Sequence, residues 1–173
     1  MFLDETGAQT NLTRLYGRAP SDQRVPGHKP AGHYENVTMI SAIRQSQIVS
    51  SMVFKGACDT IAFCVYLDKF LLPKLAPNDV LVMDNLQVHK TAQVRDRLQA
   101  HRIEPLYLPP YSPDLNPIER MFSKVKNEMR SIAARTIETV FDAFGDALRT
   151  VTSSDLNNWI RSATCTKKIN ALL

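Results

Sequence analysis

The stretch DVLVMDNLQVHKTAQVRDRLQAHRIEPLYL, residues 79–108, decides the fold class. Residues 79–83 are a short apolar run with β-branched members, the composition of a strand buried on both faces of a parallel sheet. Residues 91–101 are polar apart from Val94 and Leu98, four positions apart, so they read as a helix turning one narrow stripe inward. Residues 103–108 are apolar again and read as a second strand. Strand, helix and strand in this order form a crossover unit with a parallel pair, right-handed by the usual chirality.

Working outward, Phe63, Leu67, Phe70 and Leu71 recur at helical spacing, capped by Asp59 or Thr60 and ended by Pro73. Ahead of them, residues 37–43 and 47–54 read as two strands joined by a turn at Arg44-Gln45-Ser46. Residues 6–36 are punctuated by Gly and Pro and read as an extended excursion with one short strand over 15–18. The opening Met1-Phe2-Leu3 reads as a short strand ending at Asp4. Downstream, LPPYSPDLNP (108–117) excludes regular structure, because four prolines remove donors and fix φ. Three amphipathic helices follow. The first carries Ile118, Met121, Phe122, Val125, Met129 and Ile132; the second Ile137, Val140, Phe141, Phe144, Leu148 and Val151. The third carries Leu156, Trp159, Ile160 and Ala163, with Ser153 or Ser154 as cap, and residues 164–173 have no assignment. The expected fold is α/β, a mixed central sheet flanked by helices with further helices at the C-terminal end.

Composition sets looser bounds. The hydrophobic share of 44% and charged share of 22% are those of an ordinary globular chain. No run approaches the roughly 20 apolar residues that span a bilayer, and the start lacks a basic segment followed by an apolar one. A cytoplasmic protein without a membrane partner is expected. The formal charge of +4 and pI of about 9.1 permit a polyanionic partner without requiring one. Cys58, Cys64 and Cys165 form no C-x-x-C pair, so reduced thiols are expected rather than a disulfide framework or zinc site.

Three carboxylates stand where such a fold converges: Asp4 ending the opening apolar run, Asp84 after the strand at 79–83, and Glu119 in the first turn of the long helix. Cleaving a phosphodiester requires deprotonating a nucleophile and stabilising the departing oxygen. Two divalent ions about 3.5–4 Å apart do both, and Mg²⁺ needs only a few protein oxygens beside its waters and the substrate phosphate. Other readings stand beside this one. An Asp after a strand suits a turn, and Asn116, Pro117 and Glu119 have the spacing of a capping box. Asn85 and His89 suit orienting a phosphate, a water or Asp84, and equally loop hydrogen bonding. His89 has no Cys or His partner at zinc-ligand spacing. Glu5 falls on the opposite strand face from Asp4, and Asp114 suits a turn. Arg120, Lys124, Lys126, Arg130 and Arg135 read either as a solvated helix face or as salt-sensitive phosphate contacts. Tyr107 and Tyr111 suit packing of the proline loop, or stacking on bases.

The segments FLDETG (2–7), VMDNLQVHK (82–90) and LPPYSPDLNPIERMFSKVK (108–126) together resemble the DDE transposases of the mariner-like superfamily, most closely its bacterial insertion-sequence branch. The 34 residues between Asp84 and Glu119 match that group's spacing. NLTRLYGRAP (11–20) and residues 33–58 are also family-like. The resemblance implies a ribonuclease H-like catalytic domain over residues 1–165 with a tail at 166–173. It implies that Asp4, Asp84 and Glu119 bind two Mg²⁺ ions, with Mn²⁺ as substitute, while Asn85, His89 and Asn116 support them. The partner is then DNA, contacted by Arg120, Lys124, Lys126 and Arg130. The chemistry is hydrolysis at transposon ends followed by attack of the freed 3′-hydroxyl on target DNA, carried out by a homodimer without a covalent protein–DNA intermediate. Relatives carry an N-terminal helix-turn-helix region that this sequence lacks. A separate DNA-binding chain, an inactive remnant, or a ribonuclease H-like nuclease are the corresponding alternatives. The shortness of the opening strand leads one to expect weakened pairing at the centre of the sheet.

Overall fold

Eight residues, Phe2–Gln9, form the first strand, β1, well beyond the apolar opening that announces it. The expected stop at Asp4 is corrected. Acidic residues and Gly7 have low strand propensity, but pairing with β2 (Asn36–Arg44) at every position from Phe2↔Ile43 to Gln9↔Asn36 overrides it. The expected weakness at the sheet's centre is absent as well: Phe2 and Leu3 are buried and β1 is paired on both sides. The computed structural model describes residues 1–14, 16–27, 30–31, 33–110 and 112–164. Of the strand expected over 15–18, Tyr16, Gly17 and Arg18 form none, and Leu15 lies outside the described residues.

β2 and β3 (Gln47–Lys55) make the expected hairpin. Gln45 and Ser46 turn it, with Ser46 at φ 68° in the left-handed region that a glycine would occupy without strain. α1 (Thr60–Tyr66) starts on Asp59, whose carboxylate accepts the Ala62 amide, and runs through a π turn and a 3-10 turn that contains Pro73. β4 (Val80–Met83), α2 (Ala92–Ala100) and β5 (Glu104–Tyr107) follow as read from residues 79–108. α3 (Ile118–Ile132), α4 (Ile137–Arg149) and α5 (Ser153–Thr164) complete the chain. The cap of α5 is Thr152 rather than Ser153 or Ser154. Its hydroxyl accepts the Asp155 amide, and the Asp155 carboxylate accepts the Thr152 amide.

The sheet order is β3-β2-β1-β4-β5, antiparallel across β3-β2-β1 and parallel across β1-β4-β5. Strand alternation divides the core in two. Phe2, Val37, Met39, Ile43 and Val82 meet α3, α4 and α5 on one face, and Leu3, Ile40, Ala42, Leu81 and Met83 meet α1 and α2 on the other. Lys124 joins helix to helix: its ammonium donates to Asp155 and to the Thr150 carbonyl, fixing α5 against α3. Cys58 and Cys64 are free thiols with pKa values raised by burial, and Cys165 lies outside the described residues. Among the described residues no helix is long and apolar enough to cross a membrane.

Periodicity misplaces three stripe residues, Phe70, Ile132 and Phe141. Ile132 and Phe141 are 47% and 37% exposed, whereas Phe122 is 1% exposed. Phe122→Ala should therefore cost about 3–5 kcal/mol of unfolding free energy in urea titration, and Phe141→Ala less than about 1 kcal/mol. Equal losses would contradict this packing.

Candidate active site

β1 and β4 run parallel with Phe2 beside Val82, both facing α3–α5. Two residues further on come Asp4, inside β1, and Asp84, one residue past the end of β4. β4 ends at Met83 while β1 continues to Gln9, so the flank of β1 is uncovered beyond this point. A cleft of about 420 Å³ occupies the gap. Asp4, Asp84, Asn85, Asn116 and Glu119 line it, and the proline loop after β5 forms one wall.

Asp4 is 5% exposed. Its Oδ1 accepts the Glu5 amide at 2.8 Å, and its Oδ2 accepts the Asn116 side-chain amide at 2.8 Å. Burial raises its pKa to about 8 against the lowering effect of the backbone bond, and the charges of Glu5, Asp84 and Glu119 push the same way as burial. Asn116 is thus no helix cap. α3 has no side-chain cap, and the Asn116 side chain points to Asp4 instead. Glu119 is exposed in the first turn of α3, and its carboxylate accepts no hydrogen bond from the described residues, so the capping-box reading of this pair is corrected.

Asp84 is handled differently. Its Oδ1 accepts the Leu86 amide at 3.1 Å and lies 2.8 Å from His89 Nδ1. That second contact lacks the alignment of a good hydrogen bond and acts as an ion pair. Burial works to raise the Asp84 pKa, but the bonds and charge from His89, the Leu86 amide and Lys90 outweigh it and hold the carboxyl below its usual range. His89 is fully buried, with Nε2 3.2 Å from Glu5 Oε2. Burial alone would lower its pKa; Asp84 and Glu5 together raise it to about 9, keeping the imidazolium charged at neutral pH.

The remaining candidates fall in varied places. Lys126 and Arg130 line grooves that continue from Glu119 along α3 towards Gln9 and Asn36. Arg120 is exposed on the same helix, Lys124 is engaged with α5, and Arg135 donates to the Leu12 carbonyl. Tyr107 packs rather than projecting: its hydroxyl donates to the His89 carbonyl and Lys90 lies over its ring. Tyr111 is outside the described residues. Asp114 sits in a 3-10 turn, as its Ser-Pro-Asp setting suggests. Sequence reasoning missed Glu5 as a partner of His89. Alternation puts Glu5 on the face away from the cleft, but nothing local pairs residues 84 positions apart.

The donor set suits a hard cation. It is all oxygen, the acids are mutually repulsive, and Asn85 Oδ1 and Asn116 Oδ1 are buried without partners. Among the described residues no three ligands close tightly around one point. Asp4, Asp84 and Glu119 all line the same cleft.

Comparison with known proteins places this arrangement. Residues 1–140, which contain all three acids, match the family of DDE superfamily endonucleases. Among solved structures, the Mos1 transposase paired-end complex with left transposon end aligns with a TM-score of 0.71 and 18% identity, covering 94% of this chain and 51% of that one. The Mos1 mariner paired-end complex with Mg gives 0.69 and 16%, covering 94% and 52%. The catalytic domain of Mos1 mariner transposase gives 0.66 and 14%, covering 94% and 76%. The chain thus spans about half the length of the transposase in the paired-end complexes. At these identities the likeness shows the fold, the ribonuclease H-like sheet that the sequence resemblance implied. No curated protein sequence matches the chain. Its matched span covers most of its length, so the chain belongs to the DDE superfamily endonucleases.

Proposed function

We propose that this chain is the catalytic domain of a DDE transposase of the mariner-like group, cleaving DNA at transposon ends and joining it to a target. The carrying observation is that Asp4 of β1, Asp84 past β4 and Glu119 of α3 line one cleft. We assign residues 1–165 to this domain; residues 166–173, the expected tail, lie outside the described residues. The 34 residues between Asp84 and Glu119 favour the bacterial insertion-sequence branch. The similar Mos1 structures include complexes with transposon ends and with Mg or Mn. We extend that chemistry to this cleft, acting on DNA in the cytoplasm. A homodimer is the working form.

Asp4, Asp84 and Glu119 are the residues that hold two Mg²⁺ ions, for which Mn²⁺ substitutes. Ions held by these residues would supply activation of the attacking oxygen and stabilisation of the leaving one. The protein's own part is positional. Asn116 orients Asp4 by its amide, and the Leu86 amide with His89 orients Asp84. Asn85 and Asn116 keep side-chain carbonyl oxygens buried and without protein partners beside the same cleft. Arg120, Lys126 and Arg130 supply positive charge for phosphates flanking the scissile bond, whereas Lys124 acts within the fold.

Incubation with transposon-end duplex should give Mg²⁺-dependent nicking, reduced by about 10²-fold or more in Asp84→Asn. Cleavage that survives EDTA or this substitution would refute the assignment. Replacing Lys126 or Arg130 by Ala should weaken DNA binding and lower the salt-dependence slope by about one each; an unchanged slope would remove them from the interface.

Asp4 gives a thermodynamic test. Its folded pKa lies above its unfolded value of 3.8, so the folded state holds the proton more tightly. Stability from this group is complete below about pH 4 and falls as pH rises towards 8. In EDTA at pH 8, Asp4→Asn should therefore be more stable than the parent by on the order of 1–3 kcal/mol, and at pH 4 the two should agree. Mg²⁺ should raise the melting temperature of the parent and not of the variant. An equal rise in both would show that the ion binds elsewhere.

A further inference from the structure

Glu5 is a buried-side carboxylate that the proposed reaction does not use. It projects from β1 on the face opposite Asp4, beside the core formed by Leu3 and Ile40. A carboxylate among apolar side chains is unfavourable unless something compensates it, and here the compensation is His89 Nε2 at 3.2 Å. The imidazole is fixed from several directions. Phe63 packs on it with centroids 4.6 Å apart, its own amide donates to the Leu86 carbonyl, and Tyr107 Oη–H donates to its carbonyl. The other ring nitrogen lies 2.8 Å from Asp84 Oδ1.

The consequence falls on Asp84. Oδ1 is occupied by His89 and by the Leu86 amide, and Oδ2 has no protein partner among the described residues. The side chain remains 35% exposed and lines the cleft. A carboxylate on a loop normally samples several χ rotamers. This one is pinned by one oxygen with the other left free.

Resting on the catalytic reading above, we infer that Glu5 is a positioning residue that acts through His89 to hold Asp84 with Oδ2 presented to a divalent cation. The chain of contacts crosses the sheet, from the α1–α2 side to the cleft side, around the end of β4. Two other roles for Glu5 make different predictions. As a plain negative charge near the cleft it attracts a cation through space, whether or not His89 is present. As a mere packing element it affects folding and not affinity.

A double-variant cycle read by calorimetric titration of Mn²⁺ into the full chain separates these roles. Glu5→Ala should weaken Mn²⁺ binding about tenfold, the usual scale for a group supporting a ligand. Glu5→Gln keeps an acceptor for the Nε2 proton and should stay within about threefold. His89→Asn places an amide donor near the former Nδ1 but is too short to reach Glu5. In that background, Glu5→Ala should change affinity by less than about twofold, since the path through the imidazole is already cut. A tenfold loss that persists in that background would assign Glu5 a through-space role and overturn the inference. So would a Glu5→Ala chain that folds normally and binds as the parent does. If the alanine variant fails to fold by circular dichroism, Glu5→Met fills the same volume and carries the same expectation. Asp4→Asn and Asp84→Asn serve as controls for the underlying reading. Their failure to abolish binding, or absence of Mn²⁺ binding by the parent, removes the catalytic assignment and the inference with it. Abolished binding together with an additive cycle removes only the role of Glu5.

Discussion

The short parallel ladder between β1 and β4 is the constraint on which the rest depends. Val82 donates to the Met1 carbonyl and Phe2 stands beside Val82, so the antiparallel β3-β2-β1 half is joined to the parallel β4-β5 half along only the first residues of β1. β1 then continues with β2 alone. Because the two partners of β1 differ in length, the sheet opens on one side at the level of Asp4 and Asp84. The cleft follows from the topology, and no separate device is needed to carve it. A longer β4 would pair with β1 past Asp4 and fill the space that the acids line.

The same strand serves two environments. Alternation sends Asp4 to the α3 side and Glu5 to the α1–α2 side, so adjacent carboxylates experience different surroundings. Asp4 is met by a neutral amide from Asn116, and burial, with the neighbouring acidic charges, raises its pKa to about 8. Asp84 is met by His89, which compensates its charge and lowers its pKa. The two acids are therefore shifted in opposite directions. The asymmetry arises because Asp4 lies inside a paired strand, where no side-chain cation of the described residues bonds to it. Asp84 lies one residue beyond a strand end, where the chain folds back and brings His89 to it.

What was legible in the sequence divides along similar lines. Residues 79–108 announce strand, helix and strand because apolar content and period agree there, and the helices after residue 117 announce themselves by a stripe at 3.6-residue spacing. The three acids were found by their motifs, and the fold does bring them to one cleft. Local rules misled wherever a distant partner decides. β1 reads as three residues until β2 is laid beside it. Asn116 has the position of a cap and is taken by Asp4 from 112 residues away. Thr152 caps α5 although two serines lie closer to the first apolar position. Phe141 fits the stripe by spacing, yet periodicity gives a direction and not how far the neighbouring layer extends. The pairing of Glu5 with His89 has no sequence signature, since it depends on the face of one strand and the fold of a loop after another.

Glu119 completes the set under a different kind of control. Asp4 and Asp84 are held by hydrogen bonds at their own oxygens, whereas the Glu119 carboxylate has none from the described residues. Its location is fixed by backbone alone. Ile118, Met121, Phe122, Val125 and Met129 are buried along one face of α3, and this stripe sets the rotation and height of the whole helix. A shift in that packing moves the Glu119 Cα as a rigid unit, even when it originates about three turns away. The side chain beyond the Cα is exposed and, unlike those of the two aspartates, accepts no hydrogen bond from the described residues. The cleft therefore combines two acids whose orientation is set by local polar contacts with a third whose reach is set by the hydrophobic core. Geometric errors at the third acid come from the packing of α3, and errors at the first two come from their hydrogen-bond partners.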